Sequence, residues 1–541
     1  MPHSEYIEHV TASVVSISDE NEFLKSVEKY KKQADILLNL NLDPAIPILK
    51  STYSTAKRRK PRDPDCMLRS LVLMILLKFS SITAWVKETR SSSILAIMCG
   101  FDPGDTPGIG TYYDFQRRII DGPYQKPCQH IVRRSVYSTG SHLRNLDGEK
   151  KTRKDEIDPN HSQSEKLVKE LISLSDEPRP NDFHKIIEDL LLKIGVIPSV
   201  EAGLIQSLEN VVVSGDGSIL KTAASPRGKP ACSCRSEGIY RCDHGKYYTS
   251  PTAEFCHDHI HDRFVFGDRY YHLILAENGH DFPLNTYMPG GNESDYTLSL
   301  KSLDRFMKAT RENSLDMSIA FFCGDGHHDS YAHYQYFEEK KIIPIIPLCK
   351  NSQDKDKKQI YPHLSSDATI RLDTDGNPLC PGGCRMRHHG YDKRQKKHVY
   401  CCPAKRNTHR NGKSTYIVHL DECPNGQDCK PDSSLGPFVY VKSETDPRLF
   451  PPIPRDSSKF KDLMNQRSAS ERVNFINDAY KQDGCCRNAD YSLIRLTLAN
   501  IAHHASIRYS EADKLETPYI HLDDLLNRNA PAPHPEPMNT S

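Results

Sequence analysis

Two short apolar runs, each closed by Gly-Asp-Gly, constrain the fold of this chain more than any other feature. Val211-Val212-Val213 runs into Ser214-Gly215-Asp216-Gly217, and Ile319-Ala320-Phe321-Phe322-Cys323 runs into Gly324-Asp325-Gly326. A short, continuous apolar run bounded by turn residues reads as a strand buried on both faces. Each strand should deliver its aspartate at its C-terminal end. Between them the pattern predicts strands from Arg263 to Gly267, from Tyr270 to Ala276 and near Leu284 to Met288, then a helix over 295–309. After Asp325 come a helix from Ser330 to Lys341 and a proline-interrupted strand, Ile342 to Ile346. The fold class expected is α/β, a mixed sheet flanked by helices. A single aspartate after a strand is ordinary turn chemistry. Two of them, on strands that this order allows to be neighbours, form the geometry a hard divalent cation requires. Such a cation takes oxygen ligands and leaves its other positions to water and substrate phosphate.

A third carboxylate is expected on a later helix. Residues 456–482 read as one helix or two, in which Arg467 and Glu471 share a face at i,i+4 and Val473, Ile476 and Tyr480 make an apolar stripe. The same spacing also suits an ordinary surface ion pair.

Upstream, Phe23, Val27, Ile36 and Leu37 recur at helical spacing, and Lys57-Arg58-Arg59-Lys60-Pro61-Arg62 is a basic run. That run reads either as a solvated cluster or as a phosphate contact. Asp63-Pro64 opens a helix carrying Leu68 to Phe79. Thr111 is the expected N-cap of a helix bearing Phe115, Arg117, Arg118 and Ile119. Ile186, Ile187, Leu190, Leu191 and Ile194 form another apolar face.

Composition narrows the function classes. The 541 residues suggest three or four domains. Lys+Arg 72 against Asp+Glu 71 leaves a net charge of +1, so nucleic-acid binding must come from local patches. The longest apolar run, Leu71 to Leu77, is far short of the roughly 20 residues of a membrane span. The start, MPHSEYIEHV, lacks the features of a signal peptide, which predicts a cytoplasmic chain with reduced thiols among its 17 cysteines.

Two cysteine windows stand out. The first holds Cys232, Cys234, Cys242, His244, Cys256 and His257; the second holds Cys380, Cys384, Cys401, Cys402, Cys423 and Cys429. In the second, the pairs Cys380/Cys384 and Cys423/Cys429 are candidate ligands for structural Zn²⁺. Between them, residues 385–413 carry ten Lys/Arg against one acid, Asp392. Lys393, Arg394, Lys396 and Lys397 there are expected to contact DNA phosphates without sequence preference. His257, His259 and His261 suggest a zinc hydrolase as a rival, but H-E-x-x-H is absent and Asp258 and Asp262 interrupt the run.

Four segments together resemble bacterial insertion-sequence transposases of the DDE class, which have a ribonuclease-H-like catalytic core. They are Ser214 to Ser218; Phe264 to Leu273 with Asp281-Phe282-Pro283-Leu284; Cys323-Gly324-Asp325-Gly326-His327-His328-Asp329-Ser330; and Arg448 to Arg455 leading into Arg467-Ser468-Ala469-Ser470-Glu471-Arg472. Residues 63–135 are similar to the helical N-terminal domain of such enzymes. The resemblance implies Asp216, Asp325 and Glu471 as a triad holding two Mg²⁺ or Mn²⁺ ions about 3.5–4 Å apart. Related families carry Tyr-x2-Arg-x3-Glu-x6-Lys, where this chain has Met464, Arg467, Glu471 and Asp478. Arg467 would orient Glu471 or touch a phosphate, and Arg472 or Lys481 would take over the DNA contact of the lysine.

The implied activity is cleavage at the element's ends followed by strand transfer into target DNA, by a homodimer at synapsis, in the bacterial cytoplasm. The alternative is a transposase-derived DNA-binding protein without cleavage. The implied organisation is a helical, DNA-binding region over 1–137 and a linker with helices over 138–209. A first core part follows over 210–349, with a Cys-rich loop at 228–260. A Cys-rich basic insertion over 350–455, helical completion of the core over 456–510 and a tail from 511, disordered from 527, end the chain.

Overall fold

The computed structural model describes residues 1–17, 21–54, 61–122, 132–134, 163–230, 232–240, 246–258, 261–349, 360–361, 370–373, 377–410, 413–418, 438–480, 482–515 and 518–527. The chain is mixed α/β. Its helices are α1 (His3–Ile17), α2 (Asn21–Leu38), α3 (Ile46–Ser51), α4 (Pro64–Leu76), α5 (Ile82–Ser91), α6 (Ser93–Met98), α7 (Ile109–Asp121), α8 (Gln163–Ser173), α9 (Phe183–Leu191), α10 (Ile197–Glu201), α11 (Asp295–Glu312), α12 (Tyr331–Glu339), α13 (Ser458–Asn465), α14 (Ser468–Ala479), α15 (Ala489–Ser510) and α16 (Leu522–Asn527). Among the described residues, no helix is long and apolar enough to cross a membrane.

The central sheet is built from β1 (Val211–Lys221), β2 (Glu254–Asp258), β3 (Arg263–Glu277), β4 (His280–Tyr287), β5 (Ile319–Cys323) and β6 (Ile343–Ile345). Its order is β2-β3-β1-β5-β6, with β4 also paired to β3. β3 runs antiparallel to β1, β2 and β4, whereas β1-β5 and β5-β6 are parallel. Helices α11 and α12 make the crossovers into the parallel strands.

Two expectations change here. The strands expected at 263–267 and 270–276 are one strand of 15 residues, because Asp268 and Arg269 break the apolar pattern but not the backbone ladder, pairing Leu220 and Ile219. Asp216 lies within β1 rather than at its end, since the antiparallel ladder with β3 carries β1 on to Lys221.

Strand alternation then sorts the side chains. Val213, Tyr271, Leu273 and Leu275 join the main core under α11. Ile274 and Ala276 face the other way and pack on Ala469 and Val473 of α14. Ser214 and Asp216, opposite Ile274 and His272, share that second face.

The N-terminal helices share the main core with the sheet. Phe23, Val27, Ile36 and Leu37 are all buried in it. α15 joins the two parts, packing on α2, α4 and α7 on one side and β4 and α9 on another. Three of its buried polar groups bond across to these parts: Asn500 Nδ2 donates to Thr286 Oγ1 at 2.6 Å, His504 Nε2 meets the Pro283 carbonyl at 2.9 Å, and Arg495 donates to the Phe79 carbonyl at 3.0 Å. A buried polar group costs stability unless it is bonded in this way.

Asp63 precedes α4 as expected. Thr111 is not a cap: α7 starts at Ile109 behind the extended Gly108, and the Thr111 N–H already bonds the Gly108 carbonyl at 3.0 Å.

The insertion holds a three-stranded antiparallel sheet, β7 (Arg387–Asp392), β8 (Lys397–Cys401) and β9 (Phe438–Lys442), in that order. Leu372, Cys380, Met386, Tyr400, Val441 and Phe450 form its own small core. The basic run at 57–60, most of the expected linker (138–162), the tail from 528, and Cys242, His244, His259, Cys423, Cys429 and Lys481 lie outside the described residues.

Candidate active site

The parallel ladder between β1 and β5 ends at the pair Ser214–Cys323. Asp216 and Asp325 each stand two residues beyond that pair, so both carboxylates border the crevice where the two strands part. The C-terminal edge of parallel strands is where α/β sheets place ligands.

Asp325 is the better anchored. It caps the single turn Gly326–His328, its Oδ1 accepting the His327 N–H at 3.0 Å. The same Oδ1 accepts from His328 Nδ1 at 2.7 Å, and Oδ2 meets His327 Nδ1 at 2.7 Å. Burial works against the charge, but these imidazole bonds outweigh it and hold the Asp325 carboxyl well below the usual range.

Asp216 is pushed the other way, up to about 6, first by burial and then by the negative charges of Asp295 and Asp325. Arg467 and His328 oppose that shift. Asp295, at the start of α11, was not anticipated from sequence. It lies against Gly217 and accepts from Arg269 Nη1 at 2.9 Å. Its only sequence signal is an acid in a helix's first turn, the ordinary partner of the helix dipole.

The glycines around the two aspartates follow from close approach. A Cβ at Gly215 would overlap the Tyr271 hydroxyl, one at Gly217 would overlap the Asp295 carboxylate, and one at Gly324 would lie 3.0 Å from the His328 ring. Gly215→Ala is expected to cost about 1–3 kcal/mol in a urea titration, as overpacking does. Gly110→Ala, in the exposed first turn of α7 with nothing within 4 Å, is expected to cost nothing. Equal effects of the two would remove the steric account.

Glu471 is in the first turn of α14 and its side chain is 58% exposed. Arg467 Nη2 donates to it at 2.6 Å, the i,i+4 pair expected from spacing. The positive charge of Arg467 also opposes the rise of the Asp216 carboxyl. Glu471 itself is not gathered with the two aspartates, and among the described residues no group of three or more His, Cys, Asp or Glu is arranged to hold a metal. The chemistry of the donors still suits a hard cation: carboxylate oxygens of like charge, crowded enough to raise one of them.

Other expected contacts are partly committed elsewhere. Arg472 clamps Asp281 through Nε and Nη2 at 2.6 and 2.7 Å, which ties α14 to β4. Lys396 lies 3.8 Å from Glu338 and 4.0 Å from Glu444, so two acids from outside the basic stretch face it. Lys393 and Arg394 are exposed at the β7–β8 turn, and Lys397 sits over the exposed Tyr440 ring at 5.0 Å. Met464, at the tyrosine position of the signature, packs beside Cys323 and Phe460. Cys380 and Cys384 stand on one tight turn, closed by the Cys380 N–H on the Cys384 carbonyl at 2.9 Å. His257 and His261 are taken by Asp262 and Asp258 at 3.2 and 2.9 Å.

Sequence reasoning missed one link. Arg448 forks onto Asp329 at 2.9 and 2.7 Å, and Arg455 donates to Tyr334 Oη at 2.7 Å. The segment around Asp325 and the segment Arg448–Arg455 are therefore bonded to each other. Against known protein families and curated proteins, the chain finds no match.

Proposed function

We propose that this protein is a DNA transposase of the DDE class with a ribonuclease-H-like core, which cuts DNA at the ends of its own element and joins them to target DNA. The observation that carries this reading is the pair Asp216 and Asp325 where two parallel strands part, with Arg467, the ion-pair partner of Glu471, near enough to oppose the rise of the Asp216 carboxyl. A mixed sheet flanked by helices, with Asp216 on its central strand and Asp325 just past the end of the neighbouring parallel strand, supports the ribonuclease-H-like assignment.

Mg²⁺ or Mn²⁺ bound here would supply Lewis acidity for phosphoryl transfer. Asp216 and Asp325 offer the oxygens that bind it. Glu471 completes the set once it turns from Arg467, and an exposed i,i+4 ion pair is worth only about 0.3–0.5 kcal/mol, so it yields readily. Arg467, released in turn, is free to pair with a DNA phosphate. Water is the nucleophile of the first cut, which breaks a P–O3′ bond and frees a 3′-hydroxyl; that hydroxyl attacks a target phosphodiester, forming a new P–O bond as the target strand's own 3′-oxygen leaves. No side chain needs to form a covalent intermediate. Lys393, Arg394 and Lys397 supply backbone contacts from the insertion. Cys380 and Cys384, with Cys423 and Cys429, would staple it through Zn²⁺, which metal analysis of the purified protein tests. A dimer is the expected state when two ends are held together.

The exposed position of Glu471 favours one second reading, a protein that binds DNA without cutting it. Incubation with Mn²⁺ and duplex DNA carrying the ends that flank its own gene separates the two. Cleavage at the element end, lost in Glu471→Gln, is the expected result. Binding without cleavage by both proteins would leave only the second reading.

A further inference from the structure

A buried polar contact lies behind Asp325. We propose that Tyr271 and His328 are positioning residues for this carboxylate: Tyr271 holds His328, and His328 holds Oδ1, so that Oδ2 is the oxygen turned toward the crevice. The role rests on the reading of Asp325 as a metal-binding group.

The direction of each bond follows from chemistry. An ionised carboxylate only accepts, so His328 Nδ1 must carry the hydrogen that lies 2.7 Å from Oδ1. In the tautomer with its single hydrogen on Nδ1, Nε2 is the ring's acceptor. The Tyr271 hydroxyl, 2.9 Å away, must be its donor. Tyr271 and His328 are both fully buried, so water cannot take the place of either. The ring of His328 is wedged edge-on against Tyr271 and Phe322, with centroids at 5.8 Å in both cases.

Both strands leave room for this chain. Gly215 precedes Asp216 and is bare where the Tyr271 hydroxyl passes; Gly324 precedes Asp325 and is bare where the His328 ring lies. One buried chain therefore connects β3, the backbone beside Asp216 and the carboxylate of Asp325. The other oxygen differs. Oδ2 meets His327, whose side chain is 72% exposed and so can swing into solvent. Imidazoles that orient a ligand from behind are a general means of fixing metal sites, and their loss costs about 10–100-fold in affinity.

Mn²⁺ titration of the full-length protein, followed by electron paramagnetic resonance, tests this without any DNA. Asp325→Asn should abolish the high-affinity site. His328→Gln, which places its amide at the Nε2 end and leaves Oδ1 with the His327 backbone N–H but no side-chain donor, should weaken Mn²⁺ binding about 10–100-fold. His328→Asn, which keeps a donor near Nδ1, should restore most of it. Tyr271→Phe, the mildest change, should fall between. Ser199→Ala breaks a comparable buried hydroxyl–histidine bond, to His504 Nδ1 at 2.9 Å, far from the crevice, and should bind Mn²⁺ as the parent does.

A site lost in Asp325→Asn but unchanged in both His328→Gln and Tyr271→Phe overturns the positioning role and leaves the site reading standing. Mn²⁺ binding that ignores Asp325→Asn overturns the site reading, and the positioning role with it. Equal weakening by Ser199→Ala would reduce the effect to general loss of stability and likewise overturn the proposal.

Discussion

Asp216→Asn is expected to abolish DNA cleavage and, in the same protein, to raise the thermal midpoint. The two effects have one cause. Asp216 is held beside Asp295 and Asp325 in a partly buried position, and burial with these charges pushes its carboxyl up from 3.8 to about 6. A folded value above the unfolded one means that the folded state holds the extra proton between the two. The stabilising contribution is therefore complete below about pH 4 and disappears as pH rises through about 6. Above that, the ionised Asp216 strains the metal-free fold, and an amide of the same shape relieves it.

The gain should be on the order of 1–2 kcal/mol at pH 8 with chelator present, allowing for solvent screening, and should shrink toward pH 4. Cleavage should fall by about a thousandfold or more, since several kcal/mol of charge stabilisation are lost with the ligand. Calorimetry at the two pH values, beside the cleavage assay, checks both. A variant that is destabilised at pH 8 would contradict the crowding, and one that still cuts would remove Asp216 from the chemistry. Groups that serve a site commonly carry such a stability cost.

Arg448→Met is expected to be among the most damaging single changes. Asp329 has a side chain that is 0% exposed, and its two oxygens take the fork of Arg448 at 2.9 and 2.7 Å. Oδ2 also accepts the Cys349 N–H at 2.8 Å. Removing the guanidinium leaves a buried carboxylate without its counter-charge, which costs about 3–5 kcal/mol. The arginine also lies over the Tyr331 ring, with 5.5 Å to its centroid, and that packing goes with it. Arg448→Met with Asp329→Leu should recover most of the loss, because an apolar pair does not have to compensate a desolvated charge. Urea unfolding of the two single variants and the double variant measures this. A loss below about 1 kcal/mol in Arg448→Met would mean that the pair only decorates the surface between the insertion and α12.

These two results bear on how much of the protein can be read along the chain. The strands that carry Asp216 and Asp325, the helix after Ser330, the approximate span of α11 and the Arg467–Glu471 pair are all legible. Each is encoded by residues within a few positions of one another: apolar period, turn glycines, an N-cap serine whose hydroxyl accepts the His333 N–H, and the pitch of a helix. Even there, local signals misplaced boundaries. Thr111 carries the chemistry of a cap, yet Gly108 starts α7, and a polar Asp268-Arg269 step hides an unbroken strand.

What tertiary structure alone decided is everything that depends on partners distant in sequence. Asp295 joins the aspartates because α11 begins beside Gly217. Tyr271 reaches His328 across 57 positions, Arg472 reaches Asp281 across 191, and Arg448 reaches Asp329 across 119. No periodicity records such distances, since the period of a helix or strand only says which face a residue shares with its near neighbours. The sequence by itself determined which residues could do chemistry and on which elements they ride. The packing of β1 between β3 and β5 determined which of them meet, which carboxylate is raised and which is held low, because burial and the charges of remote side chains exist only once the sheet has formed.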